Sequence, residues 1–176
     1  MAKPPRRLLI KGGSGAGKST LARDLAQRLG LPYVELDALH HGPNWTAVPT
    51  DRFRALVAET LDDRRGWVVD GNYDSKLQRL LLDRAELIVW LDLPLGTKLS
   101  RLARRTTRRM ARREVLWNGN RESLRGVCWG AESLFVWAVR SHFHQRRAWP
   151  LLLADPRTVR LRSPRAVTDW LHDFVA

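Results

Sequence analysis

The sequence predicts an α/β fold built on a parallel sheet, and three observations predict it. Five short apolar runs are spread along the 176 residues, helical patterns separate most of them, and a glycine-rich segment joins the first run to the first helical pattern. A chain of this length suits one domain, residues 1–176, with a full hydrophobic core.

The elements follow in order. Leu8-Leu9-Ile10 predicts the first strand, chiefly because of the segment behind it. Leu21, Leu25 and Leu29 recur every four residues beside Ala22 and Ala26, a helical stripe that Gly30 can stop. Tyr33-Val34-Glu35-Leu36 predicts a second strand ending at Asp37, and Phe53, Leu56, Val57, Thr60 and Leu61 predict a helix with one buried face. Trp67-Val68-Val69 and Leu87-Ile88-Val89-Trp90-Leu91 are unbroken apolar runs, as strands covered on both faces should be, and they end at Asp70 and Asp92. The stretch from about 95 to 150 has no strand pattern and is rich in Arg and Trp, so it predicts a mostly helical insertion. Thr158-Val159-Arg160-Leu161 predicts the fifth strand. Ser163 and Pro164 then open a last helix whose buried face is Val167, Trp170, Leu171 and Phe174.

Charge and cysteine content narrow the functional classes. Lys and Arg total 31 against 18 Asp and Glu, a formal charge of +13 that concentrates anions without choosing among nucleotide, nucleic acid and lipid. One cysteine, Cys128, excludes an internal disulfide and any multi-cysteine metal site; between Val127 and Trp129 it reads as buried and inert. No signal-peptide apolar region precedes Lys11 and no uninterrupted apolar span suits a membrane helix, so a cytoplasmic protein is expected.

The sharpest motif is Gly12-Gly13-Ser14-Gly15-Ala16-Gly17-Lys18-Ser19-Thr20, which satisfies G-x-x-x-x-G-K-[ST] between a predicted strand and a predicted helix. Glycines let backbone N–H groups approach phosphate oxygens, Lys18 reaches the β- and γ-phosphates of ATP, and the Ser19 hydroxyl suits Mg²⁺. The helix N-terminus adds unpaired N–H groups and its positive dipole end. A metal-side carboxylate is expected at the end of a neighbouring strand. Asp70 and Asp92 both qualify, with Asp70 favoured because Gly71 follows it. Asp37 is the candidate to orient or deprotonate an acceptor hydroxyl, or to hold a metal-bound water.

Together the phosphate loop, LDALHHGPNW at 36–45, WVVDGNY at 67–73, LIVWLDLP at 87–94 with Arg101 and Arg105, and a looser NGNRES at 118–123 resemble the adenylate-kinase-like small P-loop kinases. The likeness is greatest to those labelled "DNA topology modulation" proteins. This resemblance implies a three-layer P-loop fold with five parallel strands in the order 2-3-1-4-5. It also implies a helical lid at about 95–150, ATP and Mg²⁺ as cofactors, and Asp70 on the metal side. Arg101 would pack on the adenine and Arg105 would contact the transferred phosphoryl, while the adenine would lie near Arg162–Pro164. His40, Trp45, Asn72 and Tyr73 would border the small-molecule acceptor. The arginines that grip a nucleoside monophosphate in these kinases have no counterpart here: His40 follows Asp37-Ala38-Leu39, and Asp74 follows Gly71-Asn72-Tyr73. An acid at 74 repels a phosphate, so a hydroxylated or less anionic acceptor is expected.

Arg101, Arg104, Arg105, Arg108, Arg109, Arg112 and Arg113 share one face of a helix if 98–113 is helical, and no acid lies between Leu93 and Arg113. Two readings stay open: arginines reaching ATP phosphates, or a basic helix tracking a nucleic-acid backbone with Trp117, Trp129, Trp137 and Trp149 nearby. The tryptophans are expected in the core. His40, His41, His142 and His144 lack zinc-motif spacing and read as structural or substrate contacts.

Overall fold

In a computed structural model, which describes residues 4–120 and 133–175, five strands form one parallel sheet in the order β2-β3-β1-β4-β5. These are β1 (Arg7–Gly12), β2 (Tyr33–Glu35), β3 (Trp67–Asp70), β4 (Leu87–Leu91) and β5 (Thr158–Leu161). The helices are α1 (Lys18–Leu29), α2 (Leu36–His40), α3 (Thr50–Thr60), α4 (Asp74–Leu77), α5 (Leu80–Arg84), α6 (Leu95–Ala111), α7 (Leu134–Leu152) and α8 (Pro164–Val175). Residues of β1, β3 and β4 are almost wholly buried, which is why these segments read as unbroken apolar runs.

Two apolar layers cover the sheet. One gathers Phe53, Val57, Trp67, Leu81, Trp90 and Trp149. The other gathers Leu21, Ala22, Leu25, Val68 and Val89, with Val167, Trp170, Leu171 and Phe174 packed against it. The Leu21–Leu29 stripe is thus a core face, and Gly30 (φ +62) stops its helix in the left-handed conformation expected of it. Ser163 Oγ accepts from the Ala166 N–H at 3.1 Å, the cap read from the sequence.

Four local expectations are corrected. β2 ends at Glu35, and Asp37 lies on the short helix α2 rather than at a strand end. Thr60 is exposed, its hydroxyl donating to the Leu56 carbonyl at 2.6 Å. Trp137 is 49% exposed, so the buried face of α7 is instead Ala138, His142, Gln145 and Trp149. α6 ends at Ala111, so Arg112 and Arg113 fall past its last turn, and its arginines split into a half-buried row (101, 105, 109) and an exposed row (104, 108). Cys128 and Trp129 lie outside the described residues. No helix among the described residues is long and apolar enough to cross a membrane.

Register decides what meets at the carboxyl edge of the sheet. Ile10 pairs with Asp70 and Asp70 with Glu35, so two acids from adjacent strands stand beside the exit of β1. Gly71 follows at φ +143, where a Cβ would lie 2.8 Å from the Leu36 side chain; its role is to admit Leu36.

Phe53 is fully buried and meets the His40 and Tyr73 rings edge-on, with centroids at 5.0 and 5.1 Å. Phe53→Ala is expected to cost about 3–5 kcal/mol, seen as a lower denaturant midpoint at unchanged slope.

Candidate active site

β1 ends at Gly12 and α1 starts at Lys18, which leaves residues 13–17 as the loop between them. The Ala16 N–H bonds the Gly13 carbonyl and the Leu21 N–H the Gly17 carbonyl, both at 3.0 Å, so the loop runs directly into the helix. Gly15 adopts φ +78, and a Cβ there would overlap the Lys98 carbonyl of α6, so this position admits only glycine. The first turn of α1 contains no acid of its own, so no carboxylate within the helix offsets its positive end. Thr20, expected among the phosphate contacts, is exposed on α1.

Ser19 Oγ donates to Asp70 Oδ2 at 2.6 Å and lies 3.5 Å from Glu35 Oε1, while the Tyr33 hydroxyl donates to Asp70 Oδ1 at 3.1 Å. Asp70 is buried; desolvation raises its carboxyl above the usual range, opposed by Lys18 and Ser19 and reinforced by Glu35 and Asp37. Hard oxygen donors from a hydroxyl and two carboxylates suit Mg²⁺, which keeps waters and substrate phosphates as further ligands. Among the described residues no three His, Cys, Asp or Glu side chains are grouped so that they could hold a metal ion by themselves. Asp92, the alternative acid, is instead buried in ion pairs with Arg160 at 2.6 Å and Arg146 at 3.6 Å.

Residues 72–76 tie the loop to the opposite wall. Asn72 brackets Gly12: its Nδ2 donates to the Gly12 carbonyl at 2.6 Å and its Oδ1 accepts from the Gly12 N–H at 3.3 Å. Asp74 meets the buried ammonium of Lys11 at 2.6 Å, so the acid read as repelling an acceptor phosphate is already paired. The Tyr73 hydroxyl donates to Asp37 Oδ1 at 2.7 Å and lies 3.4 Å from His41 Nε2; burial and Asp37 raise its pKa. Lys76 Nζ sits 2.5 Å from His40 Nε2. Burial, together with Lys76 and His41, pulls the His40 imidazole down to about 4, so it is neutral and accepts from Lys76.

Trp45 is 40% exposed, in edge contact with His41 and Trp117 at 5.5 and 6.2 Å between centroids. The turn at 117–120 holds this segment. Asn120 accepts from the Trp45 N–H and donates to the Gly42 carbonyl, both at 2.9 Å, and Asn118 donates to the His41 carbonyl. Across the loop, Arg101 Nη1 donates to the Ala16 carbonyl at 3.4 Å, and Arg105 is half-buried one turn further along α6.

The structure therefore gathers Lys18, Ser19, Asp70, Asn72, Tyr73, Asp37, His40 and Arg101 around one cleft edge, with Trp45 at the rim. Sequence reading missed Glu35, Lys11 and the Asn118–Asn120 clasp. Glu35 was findable as the last residue of a strand whose neighbour ends in Asp70. The long pairings of Lys11 with Asp74 and of Asn120 with Trp45 left no local signal.

A family profile described as "ATPase family associated with various cellular activities (AAA)" matches residues 8–92, β1 through the end of β4. The shikimate kinase of Halorhodospira halophila is 32% identical over 119 residues, 60% of this chain and 67% of that protein. The chain belongs to the small P-loop kinases. The adenylate kinase of Gloeobacter violaceus is 30% identical over 129 residues, and 59% of that protein's length is spanned. A gluconokinase from Sinorhizobium meliloti superposes with a TM-score of 0.57 at 21% identity, over 99% of this P-loop kinase and 91% of that chain. This last likeness shows a shared fold.

Two outcomes are expected for this kinase fold. Asn72→Ala strands the Gly12 N–H and carbonyl, which should cost about 1–3 kcal/mol in thermal or denaturant unfolding and weaken nucleotide binding in calorimetry. His40 has a folded pKa near 4 against 6.5 unfolded, so the unfolded chain binds the extra proton. Its contribution to stability is present above pH 6.5 and lost as pH falls toward 4; wild type should lose stability relative to His40→Gln across that window.

Proposed function

We propose that the chain is a Mg²⁺- and ATP-dependent phosphotransferase acting on a small hydroxylated molecule that lacks a nucleotide phosphate. The observation that carries it is the 2.6 Å contact of Ser19 with Asp70 at the mouth of a glycine loop, with a second carboxylate, Asp37, held by Tyr73 on the acceptor side. The relatives include a shikimate kinase and an adenylate kinase by name. The likeness of residues 36–45, 67–73 and 118–123 to the "DNA topology modulation" group belongs to the same proposal.

Each residue then has a task. The amides of 13–19 and the Lys18 ammonium bind the polyphosphate; Ser19, Asp70 and Glu35 would hold the metal directly or through water. The ion, when bound, offsets phosphate charge. Asp37 accepts the proton of the attacking hydroxyl, oriented by Tyr73, and Arg101 and Arg105 reach the phosphates from α6, which acts as a lid over the loop. Phosphoryl transfer depends on positioning and charge stabilisation, so this set is sufficient. His40, Trp45 and Asn72 border the acceptor, Asn72 by fixing Gly12 rather than by offering a free amide. The acceptor wall is built from Asp37, Tyr73, two histidines and two indoles, and its charge comes from Asp37, since Asp74 is neutralised by Lys11 and repels nothing there. That lining favours a hydroxylated acceptor over an anionic one. The chemistry requires no nucleic acid; on this reading the exposed Arg104 and Arg108 are peripheral, and a cytoplasmic location suits it.

The test is ATP consumption against panels of sugars, polyols, hydroxy acids and nucleoside monophosphates. A hydroxylated acceptor should be phosphorylated, with turnover abolished by Lys18→Ala and reduced at least about 100-fold by Asp37→Asn. Turnover that survives Lys18→Ala, or a preference for nucleoside monophosphates, would reject the assignment.

A further inference from the structure

Two buried lysines flank the phosphate loop, and they differ in one respect. Lys11 has a carboxylate partner, Asp74, at 2.6 Å. Lys98, on α6 one turn before Arg101, is 3% exposed, and among the described residues its hydrogen-bond partner is His142 Nδ1 at 2.7 Å. The charged groups around it are Asp92 at the end of β4, Arg146 of α7 and Lys18 of α1, while α7 also presents His142 and Gln145. Asp92, the one acid among these described residues, is already engaged by Arg160 and Arg146. Among the described residues, this buried ammonium beside a neutral imidazole and two further cations lacks a counter-charge of its own.

Its position supplies one. A Cβ on Gly13 would lie 2.9 Å from Lys98 Nζ and 3.3 Å from Gln145 Oε1, so the ammonium rests against the back of the phosphate loop. We propose that Lys98 is a further positioning cation for the nucleotide, acting through Gly13, and that an ionised polyphosphate on the loop draws a proton onto the Lys98–His142 pair. This rests on the reading that residues 12–20 hold polyphosphate.

The charge state supports the geometry. Burial, with Arg146 and Lys18 and against Asp92, brings the Lys98 amine down to about 8 from 10.5, and burial with Lys98 also lowers His142. The site is therefore part-neutral near pH 8 before nucleotide arrives. Several negative charges brought to the loop favour the ammonium form. By linkage, affinity is full below that pH and falls as pH rises through it.

Calorimetry of MgADP binding at pH 8, in two buffers of different ionisation heat, reads the proton directly. Wild type should take up about half a proton and lose up to about tenfold in affinity between pH 7 and 9. Lys98→Met, close in volume but uncharged, should bind more weakly at pH 7, with no uptake and a flat pH profile. His142→Gln keeps an acceptor and should retain uptake at a shifted pH. Binding heat in wild type with no buffer dependence overturns the inference and leaves the phosphate loop standing, whether or not the variants fold. Uptake that persists in Lys98→Met also overturns it. No binding heat at all overturns both readings.

Discussion

The pairing of β1 with β3 is the constraint on which the rest of the site depends. In that register Ile10 lies beside Asp70, and three links follow within a few residues: Ser19 to Asp70, Asn72 to Gly12, and Asp74 to Lys11. A slip of one residue would turn every side chain to the other face of the sheet. Asp70 would then leave Ser19, and the strands would bury polar groups where Val68 and Val69 now pack. Continuous burial of β1, β3 and β4 makes such a slip costly, so apolar packing at the centre of the sheet fixes polar geometry at its edge.

From that edge the segment at 72–76 carries the same constraint outward. Its side chains alternate between partners: Asn72 and Asp74 bind β1, while Tyr73 and Lys76 bind α2 through Asp37 and His40. One short stretch of chain therefore sets the spacing between the phosphate loop and Asp37 of α2. Phe53 backs this stretch against His40 and Tyr73, tying the core to the cleft. On the far side of the loop, α6 leans on Gly15 and brings Lys98 and Arg101 against it. The loop is held from both flanks, which lowers the ordering cost of receiving a polyphosphate.

Electrostatics divides the cleft in the same way. Carboxylates from β2, β3 and α2 gather on one side, and burial pushes Asp70 toward its neutral form, a cost that a divalent ion would relieve. Cations from α1 and α6 gather on the other, where the same desolvation partly discharges Lys98. Each half is destabilised alone. On the proposed reading a magnesium nucleotide would offset both, since it carries the two missing signs of charge.

By itself the sequence determined the five strands, their parallel arrangement and the phosphate loop, because periodicity, β-branched runs and glycine spacing are local properties of a chain. The Arg-rich helix as far as Ala111 and the acids closing β3 and β4 were legible for the same reason, whereas Asp37 read as a strand end and lies on α2. Only the tertiary structure decided that Asp70 rather than Asp92 faces Ser19, since the two strand ends look alike until their neighbours are known. It likewise decided that Asp74 neutralises Lys11, that Asn120 clasps Trp45 across 75 residues, and that Trp137 faces outward while His142 turns in. Those outcomes depend on contacts between distant segments, and a hydrogen bond across a cleft leaves no periodic trace in the residues that make it.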